Sequence, residues 1–196
     1  MIRKQIAAPV LDPVSLDEAR VHLKVDMHDV EDSAIDEMIK AAVAEAGLYQ
    51  NRAYVTQTWT FYPSLREVRR GYVSIPLPPL QSISDISYRT VAGAWVLLVE
   101  NTDYFVDTVS EPGMVVFSDD LVLPRKADLW PVLPIKITAV VGYGAPEAVP
   151  ANIRQAILWL IGHFFENREA VLVGAGATVL PYGVRNLLNR ERVIPT

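Results

Sequence analysis

The chain contains no cysteine, which removes disulfide stapling, thiolate chemistry and cysteine-ligated zinc together. It also lacks an apolar run that could serve as a membrane span, which needs about 20 predominantly apolar residues. The greasiest stretch, residues 149–171, is interrupted by Arg154, His163, Glu166 and Arg168. The N-terminal residues include Arg3 and Lys4 but no continuous apolar core behind them, so they do not read as a signal peptide. We therefore expect synthesis and folding in a cytoplasm. Positive charge is in deficit: 18 Lys and Arg against 23 Asp and Glu leave a net charge of −5. That argues against a protein that wraps nucleic acid through a basic surface. Histidine is scarce as well, and His22, His28 and His163 follow no metal-ligand spacing.

What is present is a folded, rather apolar protein. Hydrophobic residues make up 51% and charged residues 21% of 196 positions. With a mean hydropathy of +0.19, the composition favours self-association, although scattered exposed apolar residues are ordinary. The length suffices to bury a real core, either as one domain or as a small domain carrying an insertion.

Residues 149–171 are the centre of the pattern. Pro150 stands where a first-turn proline is tolerated, because its missing N–H would have no intrahelical partner there. Ile153, Ile157, Leu160, Ile161, Phe164 and Phe165 recur at helical spacing, with Leu158 and Trp159 on the flanks. A helix apolar around most of its circumference needs burial on more than one side.

Upstream, residues 1–14 read as an extended arm broken by Pro9 and Pro13. Ser15 and Glu18 form a capping-box pair that begins a short helix to about Val25. An acidic lead at 26–32 then favours a helix start. Ile35, Met38, Ile39, Ala42, Val43, Ala46 and Tyr49 predict a long helix over about 29–51. The character changes near residue 54. Strands are predicted at 55–62, 73–75, 83–88, 95–99, 104–107, 114–117 and 135–141, most of them separated by Gly, Pro, Asn or Asp. Gly142 and Gly144 mark a strand-to-helix turn. Residues 170–182 read as a mobile loop, and Val184, Leu187 and Leu188 suggest a terminal helix with a basic end. The expected class is α+β: a helical core (two N-terminal helices and one long helix in the C-terminal half), an inserted antiparallel β region and a mobile C-terminal tail. The divisions are 1–53, 54–145 and 146–196.

No catalytic constellation emerges. Asp26, Asp29, Glu31, Asp32 and Asp36 could attract a hard cation, but they lack the alternating ligands and central glycine of an EF-hand, and we read them as helix capping. His163 with Glu166 has no accompanying nucleophile motif. Trp59, Trp95, Trp130 and Trp159 lack the interleaved basic residues that single-strand binding requires. We expect no cofactor and no metal.

The order of features carries more information than any single motif. A capped short helix (SLDEARVHLKV, 15–25) precedes a long one (from DSAIDEMIK at 32). A β region follows, then a GYG turn at 142–144, the block VPANIRQAILWLIGHFFENREAV (149–171) and the ending LPYGVRNLL with Arg190. From about Pro13 to Arg192 this resembles the head–tail connector, or adaptor, family of tailed phages and gene-transfer particles. The resemblance implies a non-enzymatic virion protein at the head–tail interface. Such a protein assembles as a ring on the portal, usually twelve-fold, and joins it to a neck, tail-terminator or stopper component. DNA would pass through its channel without specific binding, and no membrane would be involved. It further implies that the C-terminal segment docks on the portal, which singles out Val184, Arg185, Leu187, Leu188, Arg190 and Arg192. Trp159, Phe165 and Arg168 are the expected subunit-interface residues, since a ring needs one patch to meet a different patch on the next copy. Two alternatives stay open: a small hydrolase using His163 and Glu166, and a binding module acting through the β region.

Overall fold

The computed structural model describes residues 1–25, 32–167 and 180–194. In chain order the elements are β1 (Ile2–Ala7), α1 (Leu16–Leu23), α2 (Asp32–Gln50), β2 (Gln57–Tyr62), α3 (Leu65–Val68), β3 (Tyr72–Ser74) and β4 (Leu80–Arg89). They continue with β5 (Trp95–Leu97), β6 (Tyr104–Asp107), β7 (Met114–Phe117), β8 (Ile135–Val141), α4 (Ala151–Glu166) and α5 (Tyr182–Asn189). Contacts divide the chain into two compact units. The β unit takes Met1–Pro9 and Thr56–Tyr143; the helical unit takes Val10–Val55 and Gly144–Thr196. The expected α+β class and antiparallel pairing agree with this architecture. Residues 1–9, which the sequence reading placed with the N-terminal helices, group instead with the β unit.

The β unit holds two antiparallel sheets, ordered β1-β2-β8-β4-β5 and β3-β7-β6. β8 lies in the middle of the larger sheet, and its sequence IKITAVV shows why. Ile135, Ile137, Ala139 and Val141 alternate into the core while Lys136, Thr138 and Val140 stay half-buried, the period-two pattern of a strand with one apolar face. Phe61 of β2 and Ile86 of β4 complete this core. Lys136 meets Asp85 across the β4–β8 pair at 3.2 Å. The arm expected at 1–14 begins as strand β1, paired in register with β2 from Ile2↔Tyr62 to Gln5↔Trp59.

In the helical unit, Ser15 caps α1 reciprocally: its Oγ accepts from the Glu18 N–H at 3.2 Å, and its own N–H donates to the Glu18 carboxylate at 2.8 Å. α2 buries Ile35, Ile39, Ala42, Ala46 and Gln50 along one stripe. α4 buries Ile153, Ala156, Ile157, Leu160 and Ile161 and packs against α1, α2 and α5. Truncating one of these large side chains to alanine should cost about 2–5 kcal/mol. Arg154 ties α4 to the start of α1, donating to the Pro13 carbonyl at 3.1 Å and pairing with Glu18. The acidic lead at 26–31 and the loop at 170–179 lie outside the described residues. Gly142 and Gly144 both hold positive φ, 114° and 129°, which suits glycine at the turn between β8 and α4.

Candidate functional site

The C-terminal segment is where the sequence reading needs its main correction. Val184 and Leu188, four residues apart on α5, are 1% and 0% exposed. A polar network fixes the chain around them to the end of α2. The wholly buried Gln50 side chain donates to the Leu188 carbonyl at 2.7 Å and accepts from the Tyr54 hydroxyl at 2.7 Å. The Val193 N–H donates to the Gln50 carbonyl at 3.0 Å, and Asn51 donates to the Val193 carbonyl at 3.0 Å. Arg52 donates to the Glu191 carbonyl, and Asn152 of α4 donates to the Glu191 carboxylate at 3.0 Å. Tyr49 donates to Asn189 at 2.7 Å, accepts from Arg185 at 3.2 Å and lies 4.6 Å beneath the Arg192 guanidinium. Residues 182–193 are therefore an integral part of the helical core, not a mobile tail. The burial of Val184 and Leu188 contributes about 1.5–3 kcal/mol per large apolar side chain, and the hydrogen bonds to α2 and α4 add to it against the conformational entropy of the ordered segment.

The expected docking residues thus divide. Val184 and Leu188 face the core and Leu187 is half-buried, whereas Arg185, Arg190 and Arg192 are exposed. Among the expected interface residues, Trp159 is 42% exposed. One edge of its indole is occupied by α5, where a Cβ on Gly183 would lie 3.1 Å from the ring. Glycine at 183 is what lets the helix start so close. Phe165 is half-buried, and Arg168 lies outside the described residues.

His163 and Glu166 line a cleft of about 360 Å³ with His22, Trp159 and Gly162. His163 Nδ1 is 3.2 Å from the Asn167 side-chain amide, which also donates to the His163 carbonyl at 2.9 Å. This is the hydrogen bonding of a helix end. None of the described lining residues is a serine, threonine or cysteine. Asp26, Asp29 and Glu31 lie outside the described residues. Asp32 pairs with Arg20, and Asp36 with Lys40 at 2.7 Å. Among the described residues no group of three His, Asp or Glu is placed to hold a metal.

The β unit carries a surface the sequence did not reveal. In the small sheet Tyr72 pairs with Val116, which pairs with Phe105. The three form a cross-strand row exposed by 51%, 41% and 48%. Their neighbours Val73, Val115 and Tyr104 face the core. Strands apolar on both faces read as wholly buried; only the register and the covering of one face disclose the other. Two residues before Tyr72, a second cleft of about 450 Å³ is lined by Leu65, Arg66, Arg69, Arg70 and Lys126. The helical spacing of Arg66, Arg69 and Arg70 was the available signal. The Ser64–Glu67 capping box orders this turn, with the Ser64 N–H donating to Glu67 at 2.7 Å. That hydrogen bond is the leading reason the Glu67 carboxyl is held below its ordinary range.

No protein-family model and no curated protein matches this sequence. Solved structures do match the fold. A chain from the "Virion of native gene transfer agent (GTA) particle" is similar with a TM-score of 0.78 and 20% identity, over 100% of this chain and 97% of that one. A chain from the "Neck of empty GTA particle computed with C6 symmetry" has a TM-score of 0.77, and one from the "Neck of native GTA particle computed with C12 symmetry" 0.73, at the same identity and coverage. At this identity the likeness establishes a shared fold.

Proposed function

We propose that this chain is a structural virion protein, a head–tail connector subunit that forms a ring at the portal vertex and extends the DNA exit channel toward the neck or tail. The observation that carries the reading is the likeness to neck chains of symmetric particles over essentially the whole of both chains. The order of motifs from Pro13 to Arg192 supports it independently. An enzymatic role for His163 and Glu166 finds no support in the cleft they line. No helix among the described residues is long and apolar enough to cross a membrane.

In this reading the exposed Arg185, Arg190 and Arg192, with half-buried Leu187, present the portal-docking surface, while Val184 and Leu188 hold that surface in place. Trp159 and Phe165 lie at the contact with the next copy, and Arg168 stays with them as an interface candidate. DNA passes without specific binding because the chain is acidic, and phosphate contacts require paired Lys or Arg. The test is light scattering of the full chain mixed with purified portal of the same particle, followed by imaging. The expected result is a ring on the portal, twelve-fold when complete. A chain that remains separate from portal at micromolar concentrations overturns the reading.

A further inference from the structure

The charges of this chain are divided unevenly. The β unit has nine basic and nine acidic residues, whereas the helical unit has nine basic and fourteen acidic ones. The whole net charge of −5 therefore sits on the helical unit. Within the neutral β unit, Arg66, Arg69, Arg70 and Lys126 are all exposed and converge on one cleft. Among the described residues none of these four meets a carboxylate within salt-bridge distance; Arg69 reaches only the Pro124 carbonyl, at 3.5 Å. Arg66 lies on α3, and Arg69 and Arg70 follow directly on its last residue, so three like charges crowd one short turn. Beside the cleft in sequence begins the exposed row Tyr72–Val116–Phe105. Aromatic and arginine side chains together are the composition enriched in protein interfaces.

We propose that the Tyr72–Val116–Phe105 row and the Arg66/Arg69/Arg70/Lys126 cleft form one docking surface, and that its occupant is a second copy of this chain, presenting the acidic helical unit. The inference rests on the ring reading. A ring requires a heterologous interface, with two different patches on each copy. A basic, aromatic patch on one unit and the net negative charge on the other supply complementary halves. The row contributes apolar burial and the arginines orient the approach, since charge complementarity sets register and suppresses wrong partners more than it adds affinity. Duplex DNA is a poorer occupant. Four cations in one cleft fall short of the 6–10 phosphate contacts that give strong, salt-dependent duplex binding.

The experiment compares the full chain with R66E/R69E/R70E and, separately, Phe105→Asp. Assembly is followed alone and on portal, by sedimentation velocity and imaging, at low salt and at about 1 M salt, where the Debye length shrinks to about 3 Å. All substituted residues are exposed, and circular dichroism melts verify that both variants fold. Copy-to-copy association should weaken at least about tenfold in each variant, and high salt should mimic the charge reversal. Added in small amounts to wild-type chain, R66E/R69E/R70E should cap growing assemblies, because it keeps the net negative charge of its helical unit and loses the basic cleft. Variants that close rings as the wild type does would overturn this surface and leave the connector reading standing. Rings that form normally, combined with loss of duplex-DNA binding by R66E/R69E/R70E, would make the cleft a phosphate site and also overturn the proposal. A wild-type chain that binds portal but never associates with its neighbours would do the same.

Discussion

Gln50→Leu tests whether residues 182–193 are as firmly held as the geometry indicates. The substitution keeps the volume of a fully buried side chain and removes both of its polar ends. It deprives the Leu188 carbonyl of a donor at 2.7 Å and the Tyr54 hydroxyl of an acceptor at 2.7 Å. A buried polar group that loses its partner costs about 1–3 kcal/mol. The Leu188 carbonyl keeps the Glu191 N–H at 3.4 Å, so the loss, partly offset by a more apolar side chain in an apolar setting, comes to about 2 kcal/mol. For a chain of this size each kcal/mol lowers the melting temperature by about 2–4 °C, so the helical transition should fall by roughly 4–8 °C. Urea titration at 222 nm supplies the free energy, and protection of the α5 amides from hydrogen exchange shows where it was lost. Tyr54→Phe should cost less and combine non-additively with Gln50→Leu, since the two side chains share a hydrogen bond. If Gln50→Leu leaves stability within about 0.5 kcal/mol of the wild type, the range of an ordinary surface change, the C-terminal segment is not held by this network.

Other expectations follow from the same geometry. Gly113→Ala places a Cβ 2.6 Å from Leu80 Cβ and 3.1 Å from the Asp107 carbonyl; it should destabilise the β unit by about 1–3 kcal/mol, visible as loss of near-ultraviolet dichroism at lower urea. Ser15→Ala removes the α1 cap and should cost about 1 kcal/mol in the same titration. The Glu18 carboxyl is lowered from its ordinary 4.5, first by the Ser15 backbone N–H and then by the Ser15 hydroxyl and Arg154. Its stabilisation is therefore complete above about pH 4.5 and fades as pH falls through the lower folded value; Glu18→Gln should flatten that acid limb of a pH–stability curve. Asp12 works in the opposite sense, because burial, and after it Asp36, raises its carboxyl; Asp12→Asn should leave the chain no less stable at neutral pH. Arg190→Glu alters an exposed side chain and should weaken portal binding in the scattering assay while leaving the melting temperature unchanged.

What could be read from the sequence followed the periodicity of its apolar residues. β8 was legible because IKITAVV alternates cleanly, and α2 because Ile35, Ile39, Ala42 and Ala46 keep one stripe. β1 was not legible. Its six residues are all exposed and mix Arg3, Lys4 and Gln5 with two isoleucines, so only the hydrogen bonds to β2 make it a strand. α3 has four residues, too few for a period, and only its Ser64–Glu67 capping pair marked it. The Val184–Leu188 spacing announced a helix at the C-terminal end but not what that helix lies on. Its burial depends on Gln50 and Tyr49, which are polar and lie far away in the chain. The basic end looked solvated for the same reason, since the stacking of Arg192 on Tyr49 leaves no trace in local composition.

The distance along the chain between Gln50 and Leu188 has a consequence for biosynthesis. The two residues are 138 positions apart, so the apolar stripe of α2 is made well before α5, and that of α4 shortly before it. A ribosome that stops after α4 releases a polypeptide with that groove uncovered, and exposed apolar surface of this kind is what chaperones and proteases recognise. Synthesis itself thus sorts the products: a shortened polypeptide is presented for degradation, and only a chain translated past Val193 can complete the helical unit. For the ring proposed above, that sorting would keep defective copies out of the assembly before any partner has to reject them.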